Sequence, residues 1–158
     1  MKSTESLDDY AAKRQFDETP EPEPVMEDSG LQRFVVQEHH ASHLHWDFRL
    51  EIDGVLKSWA VPKGVPEETG IRRLAVQTED HPIGYIDFEG TIAEGQYGAG
   101  TVSIWDKGTF DLIERDEKRL TVDLHGGRLN GGYAIVHTRE NQWIILRMKV
   151  VKRRVAGA

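Results

Sequence analysis

The feature that most constrains the fold is a strict alternation of apolar and polar residues over positions 44–52. Successive side chains of a β-strand point to opposite faces of a sheet, so this period of two predicts a strand with one apolar and one polar face. Asp53 and Gly54 follow at once and are typical of a tight hairpin turn, after which residues 55–61 return as the partner strand. The apolar face must lie against a core, because it carries leucine, tryptophan, phenylalanine and isoleucine.

The rest of the chain after residue 30 is typical of further short strands. One begins at Phe34, and the others are predicted at 73–78, 101–106, 109–114, 119–125, 133–138 and 143–150. Turn dipeptides separate them at Lys107-Gly108, Gly126-Gly127, Gly131-Gly132 and Asn141-Gln142. Because helix signals are nearly absent here, we predict a mainly β protein, a compact closed or partly open barrel of about eight strands.

The first 30 residues differ from the rest in charge. They hold three basic and nine acidic residues, a net charge of −6, whereas the other 128 residues hold 17 basic and 18 acidic residues, a net charge of −1. Residues 17–30, rich in proline and acid, predict an extended surface arm, and residues 5–16 are compatible with a short helix. We predict an N-terminal arm over 1–30, a barrel domain over 31–150 and a basic tail over 151–158, with little contribution of residues 1–16 to stability.

Composition excludes several classes of protein. The 158 residues include no cysteine, which removes disulfides, thiolate zinc sites and cysteine nucleophiles. No apolar run approaches the ~18 residues of a membrane-spanning helix. The N-terminus also lacks the apolar region of a signal peptide, so we expect a globular protein of the cytoplasm.

The polar face of the predicted strand carries an unusual set of side chains. Extended back by one residue, it presents His43, His45, Asp47, Arg49 and Glu51. A solvated strand face usually carries lysine, glutamate, threonine and serine, and such a solvated face is the alternative here. Two imidazoles and a carboxylate are a mixed nitrogen and oxygen donor set that suits a divalent transition metal. A neighbouring guanidinium suits a phosphate group, which it can bind with two parallel hydrogen bonds.

Two other segments are candidates for function. His81 follows a predicted strand and precedes Pro82, which halts strand pairing, so the imidazole is presented where loops often carry function. Residues 95–100 contain three glycines, but the spacing differs from that of a phosphate-binding P-loop, which favours a structural loop. Lys63 and Arg73 lie near strand ends and, taken singly, are typical of surface charges.

Taken in order, these segments resemble the 3′-phosphoesterase domain of the bacterial DNA ligase D family. The similarity runs from about residue 32 to 148 and is carried by positions 37–51, 57–64, 79–85 and 94–106. The resemblance implies a β-barrel enzyme that trims DNA 3′ ends bearing a terminal ribonucleotide or a 3′-phosphate. It implies Mn²⁺ as cofactor, or another divalent metal such as Co²⁺ or Zn²⁺. The implied partners are primer–template DNA and, for a free-standing bacterial or archaeal form, a DNA ligase and Ku-type end-joining proteins.

The resemblance also implies roles for individual residues. The metal ligands fall on His39, His45 and Asp47, so that His39 takes the place that the strand pattern gives to His43. Phosphate-binding and catalytic roles fall on Arg49, Lys63, Arg73, His81 and Tyr85. Supporting roles fall on Gln37, Ser58 and Glu79. For His81 the resemblance leaves open whether it serves as a general acid or a general base.

Two other functions are compatible with these residues. A His-x-His pair with a carboxylate on a barrel also occurs in cupin-like iron oxygenases, although this sequence has no clear later ligand histidine. The chain could also be a non-catalytic module that binds DNA ends for a ligase. Product release from a primer with a 3′-terminal ribonucleotide would separate this module from an enzyme.

Overall fold

Nine antiparallel strands form one sheet in the computed structural model, which describes residues 7–25 and 30–149. The strands are β1 (Arg33–His40), β2 (Leu44–Ile52), β3 (Val55–Val61), β4 (Arg72–His81), β5 (Gly90–Ile92), β6 (Gly100–Arg115), β7 (Arg119–Gly126), β8 (Asn130–Arg139) and β9 (Gln142–Arg147). A short helix, α1 (Asp8–Ala12), precedes them, and a 3₁₀ turn (Ile83–Asp87) follows β4. Within the described ranges, neither helical element has the length and apolar character needed to span a membrane.

The sheet closes on itself because β1 pairs with both β2 and β6. The order around the wall is β1-β2-β3-β4-β9-β8-β7-β6, and β5 is added to the beginning of β6. Eight strands therefore form a closed barrel. The prediction of a mainly β barrel of about eight strands with a short N-terminal helix is confirmed.

The longest strand, β6, contains a position where the sequence predicted a turn. Its first half pairs with β1 and its second half with β7, so the predicted strands 101–106 and 109–114 are one strand. A Cβ atom on Gly108 would lie 2.0 Å from the carbonyl oxygen of His125. The glycine therefore permits a close approach of two strands inside the sheet. The predicted turn at this position is wrong, as is the one at Gly131-Gly132, which lies inside β8.

The barrel interior is filled by side chains that alternate along the strands. In β2 these are Trp46, Phe48, Leu50 and Ile52, of which Phe48 and Leu50 are fully buried. The prediction of a core position is wrong for Leu44, which is 43% exposed at the beginning of the strand. Trp59 of β3 and Tyr133 of β8 belong to the same cluster, and the rings of Phe48 and Trp59 lie 6.2 Å apart. Because apolar side chains fill the inside, the polar side chains of β2 lie on the outside of the wall.

A second apolar cluster covers part of the outer face. Val35 of β1 and Leu56 of β3 contribute from the wall. Tyr85 and Ile86 contribute from the 3₁₀ turn, and Tyr10 contributes from α1. These contacts place the 3₁₀ turn and α1 beside the polar face of β2.

The N-terminal segment, defined here as residues 7–25, is packed against this outer face. The sequence predicted a helix over 5–16, whereas α1 spans five residues and is followed by turns. Leu7 and Tyr10 are buried, at 2% and 0% exposure, so the segment contributes apolar contacts that its composition did not suggest. The predicted basic tail 151–158 lies outside the described residues.

Candidate active site

A pocket of about 280 Å³ opens on the outer face of the wall, next to the N-terminal segment. It is lined by side chains from β1, β2, β3 and β4, from the 3₁₀ turn and from the loop that precedes β6. Seven of the residues selected from the sequence lie in this lining: His39, His45, Asp47, Arg49, Glu79, His81 and Tyr85.

Three possible metal ligands converge within the pocket. His39 in β1 is paired directly opposite His45 in β2, and their ring centroids are 4.8 Å apart. Oδ2 of Asp47 lies 3.5 Å from Nδ1 of His39 and 3.2 Å from Nε2 of His45. One donor atom from each residue lies within 4.8 Å of the other two. This spacing suits a single ion, because metal–ligand bonds to nitrogen and oxygen are about 2.0–2.2 Å long.

Backbone carbonyls orient both imidazoles. Nε2 of His39 lies 2.7 Å from the carbonyl oxygen of Gly98, and Nδ1 of His45 lies 3.1 Å from that of His43. A carbonyl oxygen can only accept a hydrogen bond, so these nitrogens donate. The opposite ring nitrogens both face the Asp47 carboxylate: when protonated they donate to it, and when deprotonated they offer lone pairs to a cation. Two imidazole nitrogens and one carboxylate oxygen thus share one space, which fits a divalent cation.

The charges around Asp47 favour an ionised carboxylate. Burial would raise the pKa of Asp47, but Arg49, followed by hydrogen bonds from His39 and His45, holds this pKa well below its ordinary range. Burial would lower the pKa of His45, but its hydrogen bond to Asp47 and the carboxylate charge raise the pKa above 6.5. A metal ion bound here would compete with that proton.

Arg49 is held in one orientation and has an unsatisfied donor. Its Nε donates to Oε1 of Gln37 at 2.7 Å, and the Gln37 amide nitrogen donates to the carbonyl oxygens of Tyr85 and Phe88. Its Nη2 lies 3.5 Å from Asp47 Oδ2. Nη1 is buried and has no hydrogen-bond partner, which is costly for a charged donor.

His81 is a buried, neutral imidazole. Its Nδ1 lies 2.9 Å from the carbonyl oxygen of Glu79 and its Nε2 lies 3.5 Å from Nη2 of Arg14. A carbonyl oxygen only accepts and a guanidinium only donates, so Nδ1 carries the proton and Nε2 the lone pair. Burial, together with the charges of Arg49 and Arg14, lowers the pKa of His81 well below 6.5.

The N-terminal segment supplies charged residues to the same pocket. Arg14 donates to Glu21 at 2.9 Å and to Glu79 at 3.1 Å, and the Tyr85 hydroxyl donates to Glu21 at 2.7 Å. Burial would raise the pKa of Glu79, but its hydrogen bonds and the charges of Lys13 and Arg14 hold this pKa below its ordinary range. The sequence did not single out Arg14 or Glu21 as site residues. The only signal for Arg14 is that it falls within residues 5–16, which are compatible with a short helix, and no pattern marks Glu21.

Other predicted site residues lie behind or beside the pocket. Gln37 and Ser58 are fully buried under it, and Ser58 donates to a backbone carbonyl of β3. Lys63 is exposed and does not line the pocket. Arg73 does not line it either, because its Nη1 donates to the carbonyl oxygens of Lys63 and Gly64.

Two residues on the predicted polar face lie away from the metal-ligand set. His43 is exposed in the turn between β1 and β2, so its placement on the strand face is wrong, since β2 begins at Leu44. Glu51 is buried on the outer face but is hydrogen-bonded to Arg33 at 2.8 Å. Within the described residues, Asp111, Asp123 and His125 form another group of possible ligands, on β6 and β7 and mostly exposed.

Residues 37–137 match the DNA ligase D 3′-phosphoesterase domain, which covers more than half of the chain. The chain belongs to this domain family. It is 45% identical over 161 residues to the multifunctional non-homologous end joining protein LigD of Pseudomonas aeruginosa, covering 94% of this chain and 19% of that protein. It is 49% identical over 148 residues to the LigD non-homologous end joining DNA repair protein of Mycobacterium tuberculosis, covering 89% and 19%.

A third relative is the multifunctional non-homologous end joining protein LigD of Mycolicibacterium smegmatis, 44% identical over 158 residues, covering 92% of this chain and 21% of that protein. The chain thus spans about a fifth of the length of these curated relatives. Only 6% of this chain lies outside the match to the Pseudomonas protein, which is fewer residues than precede position 25. The similarity therefore includes part of residues 7–25, although the domain match begins at residue 37.

Proposed function

We propose that this chain is a metal-dependent phosphoesterase that processes DNA 3′ ends. Hydrolysis of the phosphodiester releases the 3′-terminal ribonucleoside and leaves a 3′-phosphate. Hydrolysis of the 3′-phosphate monoester then releases phosphate and leaves a 3′-hydroxyl. The observation that carries this proposal is the Arg49 guanidinium in the pocket lining, with Nη2 3.5 Å from Asp47, beside two imidazole nitrogens and that carboxylate. A phosphate oxygen suits the first feature and a divalent cation suits the second, so a metal-bound phosphoester suits both.

His39, His45 and Asp47 would hold the metal, with Mn²⁺ as the expected ion. When bound, the ion polarises a phosphoryl oxygen and lowers the pKa of a bound water. The carbonyls of Gly98 and His43 keep the two rings turned toward Asp47. This support matters because ligand rings that are held from behind lose less freedom on binding.

Arg49 would hold the transferred phosphoryl group. Gln37 fixes the guanidinium through Nε, so Nη1 and Nη2 keep a constant direction. Charge develops on the phosphoryl oxygens in the transition state, and a preoriented cation stabilises it without reorganisation. Tyr85 lies under the guanidinium, with 4.7 Å between Cζ and the ring centroid, and limits its motion.

His81 would accept a proton from the attacking water. A neutral ring with a lone pair on Nε2 can accept that proton, and its lowered pKa keeps the ring neutral at neutral pH. The imidazolium that forms would pass the proton to the leaving oxygen of the ester. Arg14 and Glu79 face the same space and would bind and orient the substrate. Lys63 would contact the DNA from outside the pocket, and Arg73 would position it by holding the carbonyls of its turn.

The names of the relatives suggest the biological setting. They are end-joining proteins, so we propose a role in preparing DNA ends for joining, with a DNA ligase and Ku-type proteins as partners. A 3′-hydroxyl is the group that a polymerase or ligase needs at such an end.

The test uses primer–templates labelled at a 3′-terminal ribonucleoside or a 3′-phosphate. After EDTA treatment the protein should release no product, and Mn²⁺ should restore the release of nucleoside and of phosphate. His45→Ala should abolish both activities, while His125→Ala, a histidine beside two aspartates on β6 and β7, should retain them. Binding without product release in the presence of Mn²⁺ would support a non-catalytic module instead. Full activity of metal-free protein would contradict the metal mechanism.

A further inference from the structure

Tyr97 presents an aromatic ring at the rim of the candidate active site. The residue lines the pocket, yet it is 46% exposed, more than most large hydrophobic residues that the structure describes. An exposed ring beside a reaction site offers a flat surface to a planar ligand. Neither the sequence patterns nor the proposed chemistry gives this ring a role.

The ring is carried by a loop that is tied to the candidate metal site. Gly98, the next residue, accepts the hydrogen bond from His39 at 2.7 Å. Backbone hydrogen bonds of 3.1 Å, from Gln96 to Ala93 and from Ala99 to Gln96, fold the loop on both sides of the ring. The attachment point of Tyr97 is therefore held at a set distance from the metal ligands.

Two cations of the N-terminal segment lie over the same ring. Nζ of Lys13 is 4.9 Å from the ring centroid, and Cζ of Arg14 is 5.2 Å from it. The Gln96 side chain also donates to Glu18 at 2.9 Å, which joins loop and segment a second time. An aromatic ring bordered by cations is the combination that binds unpaired nucleotides, since bases stack on the ring and phosphates attract the cations.

Cavities on the two sides of the loop differ in size. On the Tyr97 side, a cavity of about 160 Å³ is bordered by Lys13 and shares Arg14 and Tyr97 with the main pocket. On the other side, a cavity of about 470 Å³ shares Ala41 and Gly98 with it. A terminal nucleoside ends the strand and needs only a small space, whereas the upstream strand must continue past the protein. The smaller cavity therefore suits the nucleoside that leaves.

We propose that the base of the departing 3′-terminal nucleoside stacks on the part of the Tyr97 ring that Lys13 and Arg14 leave exposed, with these two cations next to it. The inference rests on the proposed function. It adds a stacking contact to Tyr97 that the diester substrate can make and the monoester substrate cannot. A 3′-phosphate end has no nucleoside beyond the phosphate. Tyr97 is thus a specificity residue for one of the two reactions.

Kinetics on three ends of one primer–template test this assignment. For a ribonucleoside end, Tyr97→Ala should lower kcat/KM by about five- to 150-fold, mainly through KM, since base stacking contributes about 1–3 kcal/mol. For a 3′-phosphate end, Tyr97→Ala should change kcat/KM less than twofold. For an abasic ribose end, the kcat/KM of wild type should equal that of Tyr97→Ala on the normal ribonucleoside end. Tyr97→Phe should behave as wild type, as should Leu74→Ala, which removes an exposed side chain of β4 outside the pocket.

A binding measurement keeps this inference separate from the proposed function. A primer with 2-aminopurine at its 3′ terminus is bound to EDTA-treated protein, where no turnover takes place. Stacking should quench the fluorescence with wild type and Tyr97→Phe, and Tyr97→Ala should abolish the quenching. Equal kinetic losses on both ends, no kinetic loss, or quenching that survives Tyr97→Ala would overturn the assignment. A wild type that quenches the probe but releases no product would overturn the proposed function and leave the stacking contact standing.

Discussion

The candidate active site joins two regions that are organised by different kinds of interaction. In β1 and β2, pairing along the strands sets the direction of each side chain, so that His45, Asp47 and Arg49 all face outward. The described residues of the N-terminal segment form no strand and therefore have no such pairing. Arg14 and Glu21 point into the pocket because they are paired with each other and with groups on the barrel.

The difference shows which interactions keep the side chains of each region in position. The wall would keep its outward side chains even without a ligand, because the ladder bonds and the filled interior hold them. The segment depends on docking through buried Tyr10 and through ion pairs of Arg14, Glu21 and Glu79, whose side chains are at most 4% exposed. Removing one partner of such a pair leaves a buried charge uncompensated, which typically costs about 3–5 kcal/mol.

The largest effect is expected when the wall loses its carboxylate. Asp47→Asn keeps the size of the side chain but removes the charge that faces both imidazoles, so product release should become undetectable and Mn²⁺ affinity should fall strongly. Calorimetric Mn²⁺ titration and turnover of both DNA ends would measure this. Asp123→Asn on β7 is the matched control and should keep full turnover. An Asp47→Asn protein with normal metal affinity would show that Asp47 is not a ligand.

A large but smaller effect is expected at Arg49. Arg49→Lys keeps a charge but loses the planar pair of donors, so turnover should fall by about 10²–10³ while Mn²⁺ affinity changes little. The control is Arg33→Lys, since Arg33 also pairs with a carboxylate of β2 but lies outside the pocket. Near-normal turnover of Arg49→Lys would contradict a role in holding the phosphoryl group.

Truncation tests whether the segment is part of the folded unit. Removal of residues 1–16 takes away the buried Leu7 and Tyr10 and leaves Glu21 and Glu79 without Arg14, so we expect the melting temperature to fall by at least about 10 °C. The reference is a protein that lacks only residues 1–6. The composition of residues 1–16 had predicted little contribution to stability, and the buried contacts replace that prediction. Equal melting temperatures for the two truncated proteins would support the prediction from composition instead.

The smallest effect concerns pH. The pKa of His81 is lowered in the folded protein. Below pH 6.5 the unfolded chain therefore binds a proton at His81 that the folded protein does not bind, and the free energy of unfolding decreases as the pH is lowered. The limit for one proton is about 1.4 kcal/mol per pH unit. Denaturant unfolding from pH 7 to 5 should therefore show a weaker pH dependence for His81→Asn than for wild type. The raised pKa of His45 acts above pH 6.5 and in the opposite direction, so it does not mimic this result. Identical slopes for both proteins would count against a buried neutral His81.

The sequence predicted the wall well because strand periodicity is a local property. Alternation alone was enough to assign the core side of β2 and the outward direction of Asp47 and Arg49. It erred at His43, because a turn interrupts the pattern between β1 and β2 and alternation cannot show where a strand begins. His39 came from the resemblance to a family, since its approach to His45 depends on the pairing of two strands.

Other features depend on contacts between distant parts of the chain. Gly108 has the composition of a turn, and its place inside β6 follows only from the close approach of His125 on the next strand. Arg14 and Glu21 lie seven positions apart in a segment without periodicity, and their partners Glu79 and Tyr85 lie more than 60 positions away. No local pattern carries that information.

The two carbonyls that orient the imidazoles have a consequence for mutational studies. An alanine scan deletes side chains, but the acceptors at Gly98 and His43 belong to the main chain and survive any such replacement. Gly98 has a φ of +77°, so a side chain there would strain the backbone and shift the acceptor without removing it. Insertions and deletions in these two loops are therefore the changes that would misalign the imidazoles, and a survey limited to point substitutions would underestimate the contribution of both loops.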